Sequence, residues 1–358
     1  MKKPFRKIVF VYDRYGGGAT MGCYQPSYAA REELGYESEV LDYKSFTHSF
    51  SNYEDSLILF FKKQPSTKFC EQLKERRNTL IYYVGDMTSM SLSSFLSFNT
   101  LSIDGVIVGS KKFKEVIEKR FININISVIP ANHDLFLERE AAKKHTDFSL
   151  YFGGSPDSRG LLCQGDLGLK SEWNFTSGYF HPLRRMIEVT SNSSAQNRLE
   201  YFEKIAIKRK CQDLESQISS VTSPLNFSCH YAVRSPLTIY KKSKDSKLTE
   251  KYDQWFTKTG GKVSTAAACN SNIITSLDPS VRELIDESYP YAIDTEKEEF
   301  LENWQEICEE MYKKAKSDFN SSEWKRGLRI MKEVKERTKT SRIVSDYIDF
   351  GKKIREGL

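Results

Sequence analysis

What this sequence lacks narrows its chemistry before any motif is considered. No apolar run of about 18 residues occurs in the 358-residue chain, so no membrane-spanning helix is expected. Its seven cysteines (Cys23, Cys70, Cys163, Cys211, Cys229, Cys269 and Cys308) form no C-x-x-C pair. An odd, dispersed set points to reduced thiols and a cytoplasmic setting. The five histidines fall at no zinc-ligand spacing and there is no D-x-D, so no metal cofactor is expected. The opening "MKKPFRKIVFVYD" places basic residues before a short apolar run, but Asp13 interrupts it and no small-residue cleavage site follows. It reads as a first strand over Lys7–Tyr12 and not as a signal peptide.

What is present fits about two globular domains. Hydrophobic residues make up 39% and aromatics 13%, enough for two cores, while a mean hydropathy of -0.54 fits a soluble protein. Net charge is +6, part of it in "KKSKDSK" (241–247) and the terminal "GKKIREGL". That is either a solvated surface or an attraction to phosphate, carried by a nucleotide, an anionic membrane or a nucleic acid.

Short apolar runs alternate with helical stretches. Strands are expected at 7–13, 38–43, 57–61, 79–86, 103–110 and 125–132, with helices at 24–34, 65–76 and from Lys111. Continuous apolar strands with helical crossovers are the mark of a parallel sheet covered on both faces. The charged "EREAAKKHTD" near 138–147 reads as a linker. A second series follows, with strands at 148–155, 185–191, 226–234 and 271–276, and helices at 195–219, 260–270, 278–287, 295–317, 321–337 and 343–355. The fold class is α/β: a Rossmann-like domain over 1–140, a second over 147–340, and a C-terminal helix at 341–358 packing back on the first. Ligands in such sheets bind beyond the carboxyl ends of the strands.

Gly16, Gly18 and Gly22 follow the first strand as G-x-G-x-x-x-G, one residue longer than the dinucleotide fingerprint, while Asp42 near the end of the second strand keeps an NAD-dependent oxidoreductase as a rival. The second half carries more. "YFGGSPDSRG" ends a strand in glycines with Arg159 beyond, and "CHYAVRSP" places His230 and Arg234 at a strand end. In "TGGKVSTAAACN" a glycine pair precedes Lys262, Ser264 and Thr265. A cation and hydroxyls in the first turn of a helix suit a pyrophosphate, because backbone N–H groups, helix dipole and lysine all favour anions. Capping is the competing role for each hydroxyl.

In order, these features resemble the GT-B glycosyltransferases, in which two Rossmann-like domains face each other across a cleft. "GGGATMGCYQPSYAAREELGYESEVLDY" resembles the glycine turn, helix and second strand of that fold, and "DGVIVGSKKFKEVIEKRFININISVIPANHDLF" the segment closing its first domain. "SLYFGGSPDSRG" is similar to the opening of the donor domain, and "GGKVSTAAACNSNIITSLDPSVRELI" to its donor-binding segment. Two departures stand out. Thr265 occupies the place of the acidic residue that grips the donor ribose in many members, and Asn270 or Ser271 replaces a glycine before the last donor-domain strand.

The resemblance implies transfer of a sugar from a nucleotide-sugar donor to a hydroxyl of a glycan or lipid-linked acceptor, as in polysaccharide biosynthesis, with the nucleotide-sugar as co-substrate and no metal. Arg234 and Lys262, then Arg159, are the expected partners of the leaving diphosphate, with Ser264 and Thr265 beside them. Asp13 is the first candidate base and Asp86 the second. Gly16, Gly17, Gly18, His133 and His230 are expected on the sugar or acceptor side. The setting is cytoplasmic, with a peripheral membrane contact open through basic surface. Rivals are a phage-type DNA-base glycosyltransferase, which makes nucleic acid a less favoured partner, and a non-catalytic glycan- or partner-binding protein of the same fold.

Overall fold

In a computed structural model the described residues are 3–13, 17–84, 102–119, 124–135, 137, 144–153, 175–180, 186–190, 225, 227–234 and 259–357. They divide into two compact units. One holds 3–132, Thr259 and 338–357; the other holds the described residues of 133–234 and 260–337.

Unit 1 is built on a six-stranded, all-parallel sheet in the order β2-β1-β3-β4-β5-β6. Its strands are β1 (Lys7–Tyr12), β2 (Glu37–Asp42), β3 (Leu57–Phe61), β4 (Thr79–Tyr83), β5 (Gly105–Val108) and β6 (Asn125–Val128). Every residue of β3 and β4 is buried, as expected of strands covered on both faces. The crossover helices are α1 (Gln25–Glu32), α2 (Tyr43–Ser49), α3 (Thr67–Glu75) and α4 (Lys111–Glu118). Asp42 caps α2 by accepting from the Ser45 N–H at 3.0 Å, and Ser110 caps α4 through the Phe113 N–H at 3.2 Å. A helical segment Gly17–Ala19 and a π-helical turn Thr20–Tyr24 run straight into α1. Gly22 sits in that turn because the Phe61 ring lies against it; a Cβ there would come within 2.7 Å of the ring.

Unit 2 contains a second six-stranded sheet, order β12-β11-β10-β7-β8-β9. These are β7 (Leu150–Gly153), β8 (Phe175–Phe180), β9 (Met186–Thr190), β10 (Cys229–Ala232), β11 (Asn272–Ser276) and β12 (Ala292–Ile293), parallel except for the β8–β9 pair. Helices α5 (Gly261–Ala268), α6 (Glu298–Ser317) and α7 (Ser322–Arg337) accompany it. The last helix, α8 (Thr340–Glu356), belongs to unit 1. There Arg355 donates from Nη1 to the Pro4 carbonyl at 2.6 Å and to Asp55 Oδ1 at 2.8 Å, tying the end of α8 to the start of β1 and β3.

Several sequence expectations shift. The helix expected over 278–287 is a single turn, Pro279–Arg282. The chain then bends so that Tyr289 can reach back under β11, where its hydroxyl accepts from the Ile273 N–H at 2.7 Å. Helix α2 and strands β8 and β12 lie in segments for which no element was expected. The expected helix 195–219 lies outside the described residues. Of the cysteines, Cys23, Cys70, Cys229, Cys269 and Cys308 are buried free thiols; burial pushes that of Cys70 up to about 11, which keeps it protonated and unreactive at neutral pH. No described helix is long and apolar enough to cross a membrane.

Candidate functional site

In unit 2 the neighbouring strands β7, β10 and β11 run parallel, so their carboxyl ends share one edge of the sheet. Helix α5 leads directly into β11 and runs against the strands, which brings its N-terminus to that same edge. Lys262, second in α5, places Nζ 4.6 Å from the ring centroid of Phe152 near the end of β7. Arg234 follows β10 by two residues; its backbone N–H donates to Ser276 Oγ at 3.0 Å. Its Nη1 stands 3.7 Å from Asp278 Oδ2, two residues beyond β11. The Arg234 side chain is 18% exposed and that of Asp278 1%. Asp278 Oδ1 accepts from the Val281 N–H at 3.0 Å and from Ser280 Oγ at 2.8 Å, capping the Pro279 turn. Burial pushes the Asp278 carboxyl above its usual range, opposed by the Arg234 charge and these hydrogen bonds.

Helix α5 is capped by Gly260, which offers no side chain. Val263, Ala266 and Ala267 give it a narrow apolar face that seats in the unit 2 core. Ser264 Oγ donates back to the Gly260 carbonyl at 3.3 Å and Thr265 Oγ1 to the Gly261 carbonyl at 2.8 Å. Neither caps the helix; both use the i−4 bond open to short hydroxyls inside helices. Ser264 is fully buried, whereas Thr265 is partly exposed. The helix ends on Asn270 at φ 56°, with Ser271 N–H bonding the Ala266 carbonyl at 3.0 Å. Asn270 thus takes a left-handed turn, which asparagine tolerates better than most other side chains.

In unit 1 the carboxyl ends of β1 and β3 lie side by side. Asp13 follows β1, and its Oδ1 is 3.1 Å from the Nζ of Lys63, which follows β3. A general base at Asp13 would work beside that cation. Lys62, the residue joining β3 to Lys63, has φ 57°, and a side chain built on Gly18 would begin 3.8 Å from its Nζ. Gly17 opens the helical segment.

The structure therefore gathers Arg234, Lys262, Ser264 and Thr265 around one sheet edge of unit 2, and Asp13, Gly17 and Gly18 at the corresponding edge of unit 1. His133 lies buried in the loop after β6. His230 is not at a strand end: it is second in β10, buried, with its ring 5.1 Å from that of Tyr151. Gly16, Asp86 and Arg159 lie outside the described residues. The sequence reading passed over Lys62 and Lys63, although a lysine pair directly after the all-apolar "LILFF" was a visible signal. Asp278 stands at the start of the helix expected over 278–287, and nothing in the sequence signals its pairing with Arg234.

Asp42, on which the oxidoreductase reading depended, ends β2 with Oδ1 on the Ser45 N–H and Oδ2 on Ser45 Oγ, at 3.0 and 2.5 Å. Among the described residues no group of three His, Cys, Asp or Glu side chains is placed to hold a metal ion.

No family model and no curated protein sequence matches the chain. Solved structures do. Anabaena HepE in complex with UDP and glucose superposes with a TM-score of 0.51 at 10% identity, covering 95% of this chain and 98% of its own. An α-glucosyltransferase in complex with UDP and a 13-mer DNA containing an HMU base gives 0.52 at 10%, over 96% and 99%. The N-terminal domain of a Candida albicans trehalose-6-phosphate phosphatase gives 0.52 at 9%, over 97% of each chain. At such identities the likeness is one of fold, and it runs almost end to end: the chain has the α/β GT-B fold with two Rossmann-like domains.

Proposed function

We propose that this chain is a glycosyltransferase that takes a sugar from a UDP-sugar without a metal ion and passes it to a hydroxyl of a glycan or lipid-linked acceptor. The observation that carries the reading is that Arg234 follows a strand ending at the carboxyl edge of the second sheet and Lys262 is second in helix α5, which begins at that edge. As the bond to the anomeric carbon breaks, charge builds on the leaving diphosphate. Lys262 supplies a point charge, Arg234 a planar fork, and the first N–H groups of α5 add fixed dipoles. Arg159 is the third cation of this reading. Thr265 has spent its proton on the Gly261 carbonyl and keeps lone pairs that can accept from a ribose hydroxyl. Ser264 is too buried for that part. Asp13, with Asp86 as alternative, is the base for the acceptor hydroxyl.

Supporting the choice of UDP, two of the solved neighbours hold it. The DNA-bound neighbour favours a second reading of the acceptor, a modified base in DNA, over the non-catalytic and NAD-dependent rivals. A cytoplasmic setting, a part in polysaccharide biosynthesis and a peripheral membrane contact complete the proposal.

The test is a thermal-shift screen against UDP, GDP, CDP, CMP, dTDP, ADP and NAD(H), with Arg234→Ala and Lys262→Ala alongside. A nucleotide at about 100 times its Kd adds about 2.7 kcal/mol. Stabilisation by UDP that both variants lose is the expected outcome. Stabilisation by NAD(H) alone would overturn the transferase reading.

A further inference from the structure

Arg234 is held at two points by one short segment of chain. Its backbone N–H donates to Ser276 and its guanidinium faces Asp278, so the end of β11 sets both where this residue sits and where its side chain aims. Asp278 cannot rotate to follow it. One carboxylate oxygen is committed to the Val281 N–H and the Ser280 hydroxyl, which leaves Oδ2 on a fixed line toward Nη1. At 1% exposure Asp278 has almost no surface to offer a ligand. The separation of 3.7 Å is that of an ion pair and longer than a hydrogen bond, so the guanidinium is aimed without giving up its donors.

We propose, resting on the UDP-sugar reading above, that Asp278 is a positioning residue whose carboxylate holds the Arg234 guanidinium in the direction required by the donor diphosphate. The competing role is the reverse one, in which Arg234 serves only to neutralise a buried carboxylate. The two differ in whether nucleotide affinity responds to Asp278 and whether that response passes through Arg234.

Asp278→Asn is the informative change. An amide of the same shape still offers Oδ1 to Val281 and Ser280, but turns N–H groups toward Arg234 in place of an oxygen. UDP binding by calorimetry should weaken about tenfold in Asp278→Asn and by a similar factor in Arg234→Ala. In the double variant the loss should be no greater than in Arg234→Ala alone, because coupled residues fail to add. Ser280→Ala, which frees the carboxylate to turn while leaving its charge, should weaken binding about threefold and serves where Asp278→Asn does not fold. If Asp278→Asn, or Ser280→Ala in its stead, binds UDP like the parent while Arg234→Ala does not, the positioning role is overturned and the transferase reading stands. Independent, additive losses also overturn it. If Arg234→Ala binds as the parent does, or the parent binds no UDP, the assignment of Arg234 falls and this inference with it.

Discussion

The two units solve one packing problem in opposite ways. Each brings its last helix onto its sheet through a glycine. In unit 1, Gly351 of α8 comes down over the apolar ends of Leu57 and Phe5. In unit 2, Gly327 of α7 comes down over Asn272, the first residue of β11. Asn272 is not a filler. Its Nδ2 donates to the Trp324 carbonyl at 3.1 Å, and its Oδ1 accepts from the Tyr289 hydroxyl at 3.2 Å, which in turn accepts from the Ile273 N–H. An apolar seat yields when a methyl group or ring rotates, whereas a hydrogen-bonded seat yields only by leaving buried polar groups unpaired. Unit 2 should be the less forgiving of the two.

The largest effect expected is at the centre of that network. Asn272→Ala removes both bonds and leaves the Tyr289 hydroxyl and Trp324 carbonyl buried, at a cost of about 2–4 kcal/mol in urea unfolding. Gly327→Ala should follow closely, at about 2–3 kcal/mol, since its Cβ would run into Asn272 Oδ1 and sit 3.1 Å from Cγ. Gly351→Ala should cost about 1 kcal/mol or less. Its Cβ would meet Leu57 Cδ1 at 2.7 Å and Phe5 Cζ at 3.0 Å, both able to turn aside, and alanine regains up to about 1 kcal/mol of helix propensity. Equal losses at Gly327 and Gly351 would break the comparison.

A smaller effect belongs to unit 2 alone. His145 Nε2 lies 3.4 Å from Ser271 Oγ, just before β11. Burial holds its pKa below the ordinary value of 6.5, partly offset by a hydrogen bond to the Cys269 carbonyl. Below 6.5 the unfolded chain binds the proton more readily than the folded one, so stability falls as pH drops from about 6.5 toward the lowered value. His145→Gln should flatten that slope between pH 7 and 5. A slope unchanged in the variant would place the sensitivity elsewhere.

How much of this could be read from the sequence follows the same division between apolar and polar determinants. Strand β3 is visible at its true ends, Leu57–Phe61, because an unbroken apolar run has few other uses. Helix α2 is invisible: "YKSFTHS" buries only Phe46, which is held by Tyr53, Phe60 and Phe69 from elsewhere in the fold. Strand β8, "FTSGYF", carries a glycine and polar residues, and takes its form from pairing with β7 and β9. At the candidate site, Lys262 and Arg234 announce themselves as cations after a glycine pair and a strand. The clamp on Arg234 does not, because Ser276 lies 42 residues along the chain and only the adjacency of β10 and β11 brings it near.

Helix α8 carries a consequence for how the protein comes into being. Unit 1 takes in β1 to β6 and, only after unit 2, α8, whose Arg355 reaches back to Pro4 and Asp55 across 351 and 300 residues of chain. Unit 2 is therefore an insertion within unit 1. The part of the unit 1 sheet that α8 covers, around Phe5 and Leu57, stays bare on the nascent chain until unit 2 has been made.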